Sequence, residues 1–235
     1  MGEFRSFWFD CDSTLSAIEG VDELTLALPK ALQREIKALT EAAMNGTVPL
    51  AEVYERRLAT IAPSRDQLEA VGKLYVEKLV PGAREVVGAL GFLGKTVGIV
   101  SGGLAPIVRV LARSIGVPIA NVHAVDIHFA KDGTYLDFER KSPFWRNGGK
   151  REFFAALGPR SRPICFVGDG ATDLEAQDAV ELFVGFGGVV AREAVRRRAR
   201  AFVTRLADVL PLSLTAAERE RLGSKPEFAS LLTPG

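Results

Sequence analysis

Short apolar runs that stop at polar or glycine-rich loops recur along the chain. Residues 4–9, 96–100, 164–167 and 182–186 each read as a buried strand, the first of them rich in aromatic side chains. The loops that follow begin at Asp10, at Ser101-Gly102-Gly103, at Gly168-Asp169-Gly170 and at Gly187-Gly188. Residues 83–93, 104–114 and 174–180 carry helical spacing between or after these runs. Strand, loop and helix in repetition predict an α/β fold: a Rossmann-like parallel sheet with helices on both faces. Ligands of such sheets bind outside the carboxyl ends of the strands.

Two stretches interrupt that alternation. Residues 16–80 contain no convincing strand, but 22–43, 50–61 and 65–79 show helical spacing broken at 46–49 and at Pro63. The chain leaves the sheet after its first strand and returns at Pro81-Gly82, which predicts a small helical cap over that strand's carboxyl end. The expected organisation is a core of residues 1–15 and 81–212, a cap of 16–80 and a C-terminal helix or tail of 213–235. Residues 125–138 flank Lys131-Asp132-Gly133-Thr134 with alternating side chains and predict a hairpin.

Composition narrows the choice of partners. The 235 residues are 47% hydrophobic and 25% charged, with a formal charge of +1, so no global field recruits nucleic acid or an anionic membrane. The longest apolar stretch, residues 182–191, holds three glycines and falls far short of the roughly 20 residues that span a bilayer. Two cysteines make no disulfide framework, and no signal-peptide pattern opens the chain, so a cytoplasmic protein is expected. The opening Met-Gly-Glu-Phe-Arg-Ser matches a loose myristoylation pattern, but the strand that begins at Phe4 leaves little free arm to acylate.

Candidate chemistry starts at Phe9-Asp10-Cys11-Asp12-Ser13-Thr14. Two carboxylates at the end of a buried strand are costly without a cation. Asp169 and Asp173 follow another strand, and neighbouring strands would gather all four carboxylates at one spot suited to Mg²⁺ and a phosphate oxygen. Ser101-Gly102-Gly103 leads into a helix with Pro106 in its first turn, whose free N–H groups make an anion site. Lys150 adds a point charge for the same phosphate. A protonated Asp12 would relieve the repulsion and supply a general acid.

Taken in order, the Asp10–Asp12 segment, Val100-Ser101-Gly102-Gly103, Gly149-Lys150 and Gly168-Asp169-Gly170-Ala171-Thr172-Asp173 resemble the four motifs of the haloacid dehalogenase superfamily across nearly the whole chain. Glu19-Gly20-Val21-Asp22-Glu23-Leu24 and Gly185-Phe186-Gly187-Gly188 are similar to those of members that hydrolyse O-phospho-L-serine in serine biosynthesis. The resemblance implies Asp10 as nucleophile, forming an aspartyl-phosphate, and Asp12 as the acid and then the base. It implies Mg²⁺ held by Asp10, the Asp12 carbonyl and Asp169, with Asp173 orienting the site, and Ser101 and Lys150 on the phosphoryl group. It further implies Glu19 for the substrate ammonium and Arg57 for its carboxylate, with Met44, Gly102, Gly103 and Thr172 lining the pocket. Many members carry asparagine in place of Thr172 and phenylalanine in place of Leu50, differences expected to tune affinity.

The sequence leaves other readings open. The same chemistry fits another small phosphometabolite such as phosphohomoserine, and a non-catalytic phosphate-sensing or interaction protein would retain the same fold. The intact Asp10, Asp12, Lys150 and Asp169 speak against the latter. A small-molecule substrate, no nucleic acid, no membrane and a monomer or homodimer are expected. Cys11 and Cys165 read as small core hydrophobes, and His123 and His128 lack the spacing of a zinc site. Arg192, Arg196, Arg197, Arg198 and Arg200 read as the solvated side of an amphipathic helix.

Overall fold

The computed structural model of the chain describes residues 3–44 and 48–233, the side chains of 41–44 excepted. Its strands are β1 (Ser6–Phe9), β2 (Thr96–Leu104), β3 (Val122–Val125), β4 (Ile127–Phe129), β5 (Tyr135–Phe138), β6 (Ile164–Gly168), β7 (Leu182–Phe186) and β8 (Ala201–Val203). A six-stranded sheet runs in the order β3-β2-β1-β6-β7-β8, every pair parallel, while β4 and β5 form a separate antiparallel hairpin. Strand order reverses beside β1, where β2 lies on one side and β6 on the other. That reversal opens the crevice in which open parallel sheets bind ligands.

Helices α1 (Gly20–Leu26), α2 (Lys30–Met44), α3 (Leu50–Ile61), α4 (Arg65–Glu77) and α5 (Ala83–Phe92) fall between β1 and β2. The others are α6 (Ala105–Ile115), α7 (Gly149–Ala156), α8 (Ala171–Leu174), α9 (Glu193–Arg198), α10 (Val209–Ser213), α11 (Ala216–Gly223) and α12 (Pro226–Ala229). The period-two alternation of the strands divides the interior into two cores. Phe7, Phe9, Val97, Ile99, Cys165, Val167 and Val184 belong to one core, with Val86, Leu90, Leu111 and Leu210 from the helices. Trp8, Val100, Phe166 and Phe183 belong to the other, with Phe154, Leu174 and Val195.

Four details differ from the sequence reading. The helical pattern over 22–43 is split into α1 and α2, because Pro29 disfavours helical backbone at Leu28 and starts a new helix after it. Strand β2 continues through Ser101-Gly102-Gly103, which ride on a register shift against β3 instead of forming a loop. Strands β3 and β8 are additional; at four and three residues they are too short for periodicity to reveal them. The 174–180 helix is a short α8 followed by a 3₁₀ turn at Gln177–Ala179. From Ser213 to Thr233 the chain packs onto the core, with a capping box between Thr215 and Glu218 at the start of α11 and buried Leu222 and Leu231.

Candidate active site

Asp10 leaves β1 with its backbone N–H donating to Val167 of β6 at 2.8 Å, which sets the end of β1 beside the loop carrying Asp169. Directly after Asp12 the chain turns away, and Ser13 adopts a left-handed φ of 56° to do so. That turn brings Thr14 Oγ1 to Asp169 Oδ1 at 3.2 Å and Ser13 Oγ to Glu19 Oε1 at 3.1 Å. Gly168 is needed for space. A Cβ there would lie 2.4 Å from Cγ of Asp173, which folds back over the strand end and accepts a hydrogen bond from Gly170 N–H at 2.8 Å.

Lys150, in the first turn of α7, is buried and donates to Asp10 Oδ1 at 2.6 Å and to Asp173 Oδ1 at 2.5 Å. Carboxylate oxygens of Asp10, Asp169 and Asp173 all lie within 4.8 Å of one another. Burial raises the Asp10 carboxyl well above its ordinary range, Asp173 raises it further, and Lys150 opposes both. Burial likewise lifts Asp169 to about 6, with Asp173 adding to the rise and Arg192 opposing it. For Lys150, burial disfavours the charge, but Asp10 and Asp173 outweigh it and raise its pKa. This excess of buried negative charge, presented on oxygen atoms alone, fits a hard divalent cation. Asp173 lies within this cluster with Oδ1 accepting from Lys150 and Oδ2 from Gly170 N–H, an arrangement that fits an orienting part beside the cation.

Asp12 accepts a 2.6 Å hydrogen bond from Tyr75 Oη, and burial pushes its carboxyl up to about 7 against that stabilising contact. Ser101 is buried, with Oγ accepting from Gly103 N–H at 2.9 Å. Tyr54 Oη donates to the Gly102 carbonyl at 3.1 Å and so ties α3 to the end of β2.

A cleft of about 240 Å³ joins these groups. Asp10, Asp12, Glu19, Arg57, Ser101, Gly102, Gly103, Lys150, Asp169, Thr172 and Asp173 all line it, together with Leu50. The side chain of Met44 lies outside the described residues. Arg56, by contrast, is exposed and paired with Glu52.

A family model for haloacid dehalogenase-like hydrolases matches residues 4–179. The chain belongs to this family. This hydrolase has curated relatives in distant organisms. It is 35% identical to the phosphoserine phosphatase of Homo sapiens over 204 residues, 86% of this chain and 90% of that protein. To the chloroplastic phosphoserine phosphatase of Arabidopsis thaliana it is 33% identical over 195 residues, 81% of this chain and 65% of that one. Its fold is similar to that of a phosphoserine phosphohydrolase-like protein from Francisella tularensis, with a TM-score of 0.77 at 22% identity over 89% of this chain and 99% of that one.

Tyr54, Tyr75 and Arg192 of this haloacid dehalogenase-like site are not apparent from the sequence. Arg192, taken for a solvated helix residue, caps the start of α9 and turns into the cleft. Its Nε donates to Asp169 Oδ2 at 3.0 Å and its Nη2 to Glu19 Oε1 at 3.2 Å. Arg196 and Arg197 remain exposed and pair with Glu193. The signal available was position: Arg192 stands four residues past Gly188, before the helix begins. Among the described residues His123 stacks against Phe153 at 4.6 Å and His128 is exposed, so neither joins the carboxylate cluster. Both cysteines are buried free thiols.

Proposed function

We propose that the chain is a Mg²⁺-dependent phosphomonoesterase that hydrolyses O-phospho-L-serine to L-serine and phosphate. The observation that carries the reading is one cleft lined both by the Asp10, Asp12, Ser101, Lys150 and Asp169 set and by Glu19 and Arg57. A phosphate dianion, an ammonium and a carboxylate then each meet groups of opposite charge or hydrogen-bond donors. The curated relatives named phosphoserine phosphatase, at 33–35% identity, support the same substrate.

In this reading a carboxylate oxygen of Asp10 attacks phosphorus, and the bond from phosphorus to the serine oxygen breaks. Asp12, whose raised pKa favours the protonated form, gives its proton to that departing oxygen. Water then attacks the phosphorus of the aspartyl-phosphate, passing its proton to Asp12 and freeing Asp10. Lys150 and Ser101 hold the phosphoryl oxygens throughout. Asp10, Asp169 and the Asp12 carbonyl would hold Mg²⁺, with Asp173 orienting the site, and the ion when bound offsets charge on the transferring phosphoryl group. Helices of residues 16–80 serve as a cap that carries Glu19, Met44 and Arg57 and limits the entry of water, over a core of 1–15 and 81–212. Gly102, Gly103 and Thr172 shape the pocket wall.

No helix among the described residues is long and apolar enough to cross a membrane. The reading takes the protein as a cytoplasmic monomer or homodimer acting in serine biosynthesis. Phosphate release from a panel of esters that includes phosphoserine, phosphohomoserine and an aryl phosphate tests it. Phosphoserine should give the highest kcat/KM, and Asp10→Asn should abolish turnover and phosphate labelling of the protein. A preference for phosphohomoserine would move the substrate, and inactivity with Mg²⁺ on the whole panel would mean a silent site.

A further inference from the structure

We infer that Asp22 is a positioning residue for substrate selection, holding the Arg57 guanidinium in place from outside the cleft. The inference rests on the proposed reading of Arg57 as the group that meets the substrate carboxylate. Arg57 Nη2 donates to Asp22 Oδ1 at 2.6 Å across 35 residues, linking α3 to the first turn of α1. The two side chains differ sharply in exposure, 17% for Arg57 and 65% for Asp22. Arg57 lines the cleft and Asp22 does not; Asp22 instead lines a separate groove on the outer side of α1 and α2.

The remainder of the guanidinium points to a second acceptor. Arg57 Nε is buried with no hydrogen-bond partner. A buried charged donor left in that state is expensive, and a planar guanidinium offers separate edges to two acceptors at once. With Asp22 on Nη2, the guanidinium keeps further N–H donors for a carboxylate that reaches Arg57 through the cleft it lines. Holding the fork beforehand removes part of the side-chain entropy that binding would otherwise cost. Glu19, at the N-cap of α1, faces the cleft and Arg192, while Asp22, three residues on, meets Arg57.

A bland alternative is that Asp22 only favours the positive end of the α1 dipole. That effect would alter stability and leave the choice among substrates untouched. The test is therefore the ratio of kcat/KM for phosphoserine to kcat/KM for an aryl phosphate that has no carboxylate. It is measured with Mg²⁺ on the full chain and on Arg57→Ala, Asp22→Asn, Asp22→Ala, Asp22→Glu and the double variant Asp22→Asn with Arg57→Ala. Asp22→Asn and Asp22→Ala should each lower the ratio about 5- to 20-fold, through KM for phosphoserine more than through kcat, in line with one weakened charge-assisted contact. Asp22→Glu should restore most of it. On the Arg57→Ala background, Asp22→Asn should change the ratio less than twofold, because its target is gone. If Arg57→Ala lowers the ratio while both Asp22 variants leave it alone, or lower it equally without Arg57, the positioning role is wrong and the Arg57 reading stands. If Arg57→Ala itself leaves the ratio unchanged, the carboxylate reading fails first and this inference falls with it.

Discussion

Lys150 Nζ donates to Asp10 Oδ1 at 2.6 Å although 140 residues separate them in sequence. The same ammonium donates to Asp173, so one cation ties the end of β1 to the loop after β6. A lysine so placed both orients the proposed nucleophile and offsets charge on an incoming phosphate. Lys150→Ala is expected to lower kcat by more than about 100-fold, the scale for removing one fixed donor from a charged transition state. Loss of one partner of a buried ion pair should also destabilise the fold by about 3–5 kcal/mol. Lys150→Arg should not recover activity, since the larger planar head does not fit between two carboxylates. Turnover and denaturant melts on the same preparations separate these effects, and an active Lys150→Ala protein would remove Lys150 from the mechanism.

Arg192 bridges Asp169 and Glu19, and so couples the carboxylate cluster to the residue proposed for the substrate ammonium. Each contact is a charge-assisted hydrogen bond worth about 1.5–3 kcal/mol when partly buried. Arg192→Ala is expected to reduce kcat/KM for phosphoserine by about 10- to 100-fold, the rate equivalent of that energy. Arg192→Lys should recover little, because a point charge cannot span both acceptors. Kinetics at saturating Mg²⁺ check this; a loss below twofold would make the bridge incidental.

Three buried carboxylates within 4.8 Å of one another predict that a divalent ion stabilises the folded chain. At a hundred times its dissociation constant, such an ion adds about 2.7 kcal/mol. For a domain of this size each kcal/mol moves the melting temperature by about 2–4 °C, so Mg²⁺ should raise it by about 5–10 °C. Asp169→Asn should suppress that shift. Thermal melts with Mg²⁺ and with chelator decide the matter without any activity assay, and identical curves for the native chain would contradict the cluster's proposed use.

Much of this arrangement was legible because the sheet's alternation and the carboxylate spacing are local signals. The strands ending at Phe9 and Gly168, and the loops after them, could be read directly from apolar runs. The pairing of β1 with β6 could be expected only if those strands were neighbours, a relation set by topology. Arg192 was hidden for the same reason: its helix neighbours have an apolar face and solvent-facing arginines, whereas its own direction is fixed by a cap and by residues far away in sequence. Pro29 was visible, but a helical pattern on both sides of it masked the break. Arg57 could be preferred to Arg56 only by resemblance, and the distinction rests on the packing of α3, which turns one arginine inward and leaves the other on Glu52.

Glu218 and Lys95 form a buried ion pair that fastens α11 to the turn before β2, and Lys95 also meets the exposed Glu3 at 2.9 Å. Burial opposes the charge on Glu218, but Lys95 and the Thr215 cap outweigh it and hold its carboxyl below the ordinary value of 4.5. An acid with a depressed folded pKa contributes stability that is fully present above its unfolded value. That contribution is lost as pH falls through the lower folded value. The native chain should therefore lose melting temperature steeply below about pH 4.5, while Glu218→Gln, already lacking the charge, should lose less over the same interval. At pH 7 the variant should be less stable by about 3–5 kcal/mol, the cost of leaving Lys95 buried beside a neutral partner. Exposed Glu3 offers only partial compensation, because its side chain is well solvated. Melting curves of both proteins from pH 3 to 7 test the assignment; parallel curves would show that α11 is held by Leu222 and its apolar neighbours, with the ion pair contributing nothing measurable.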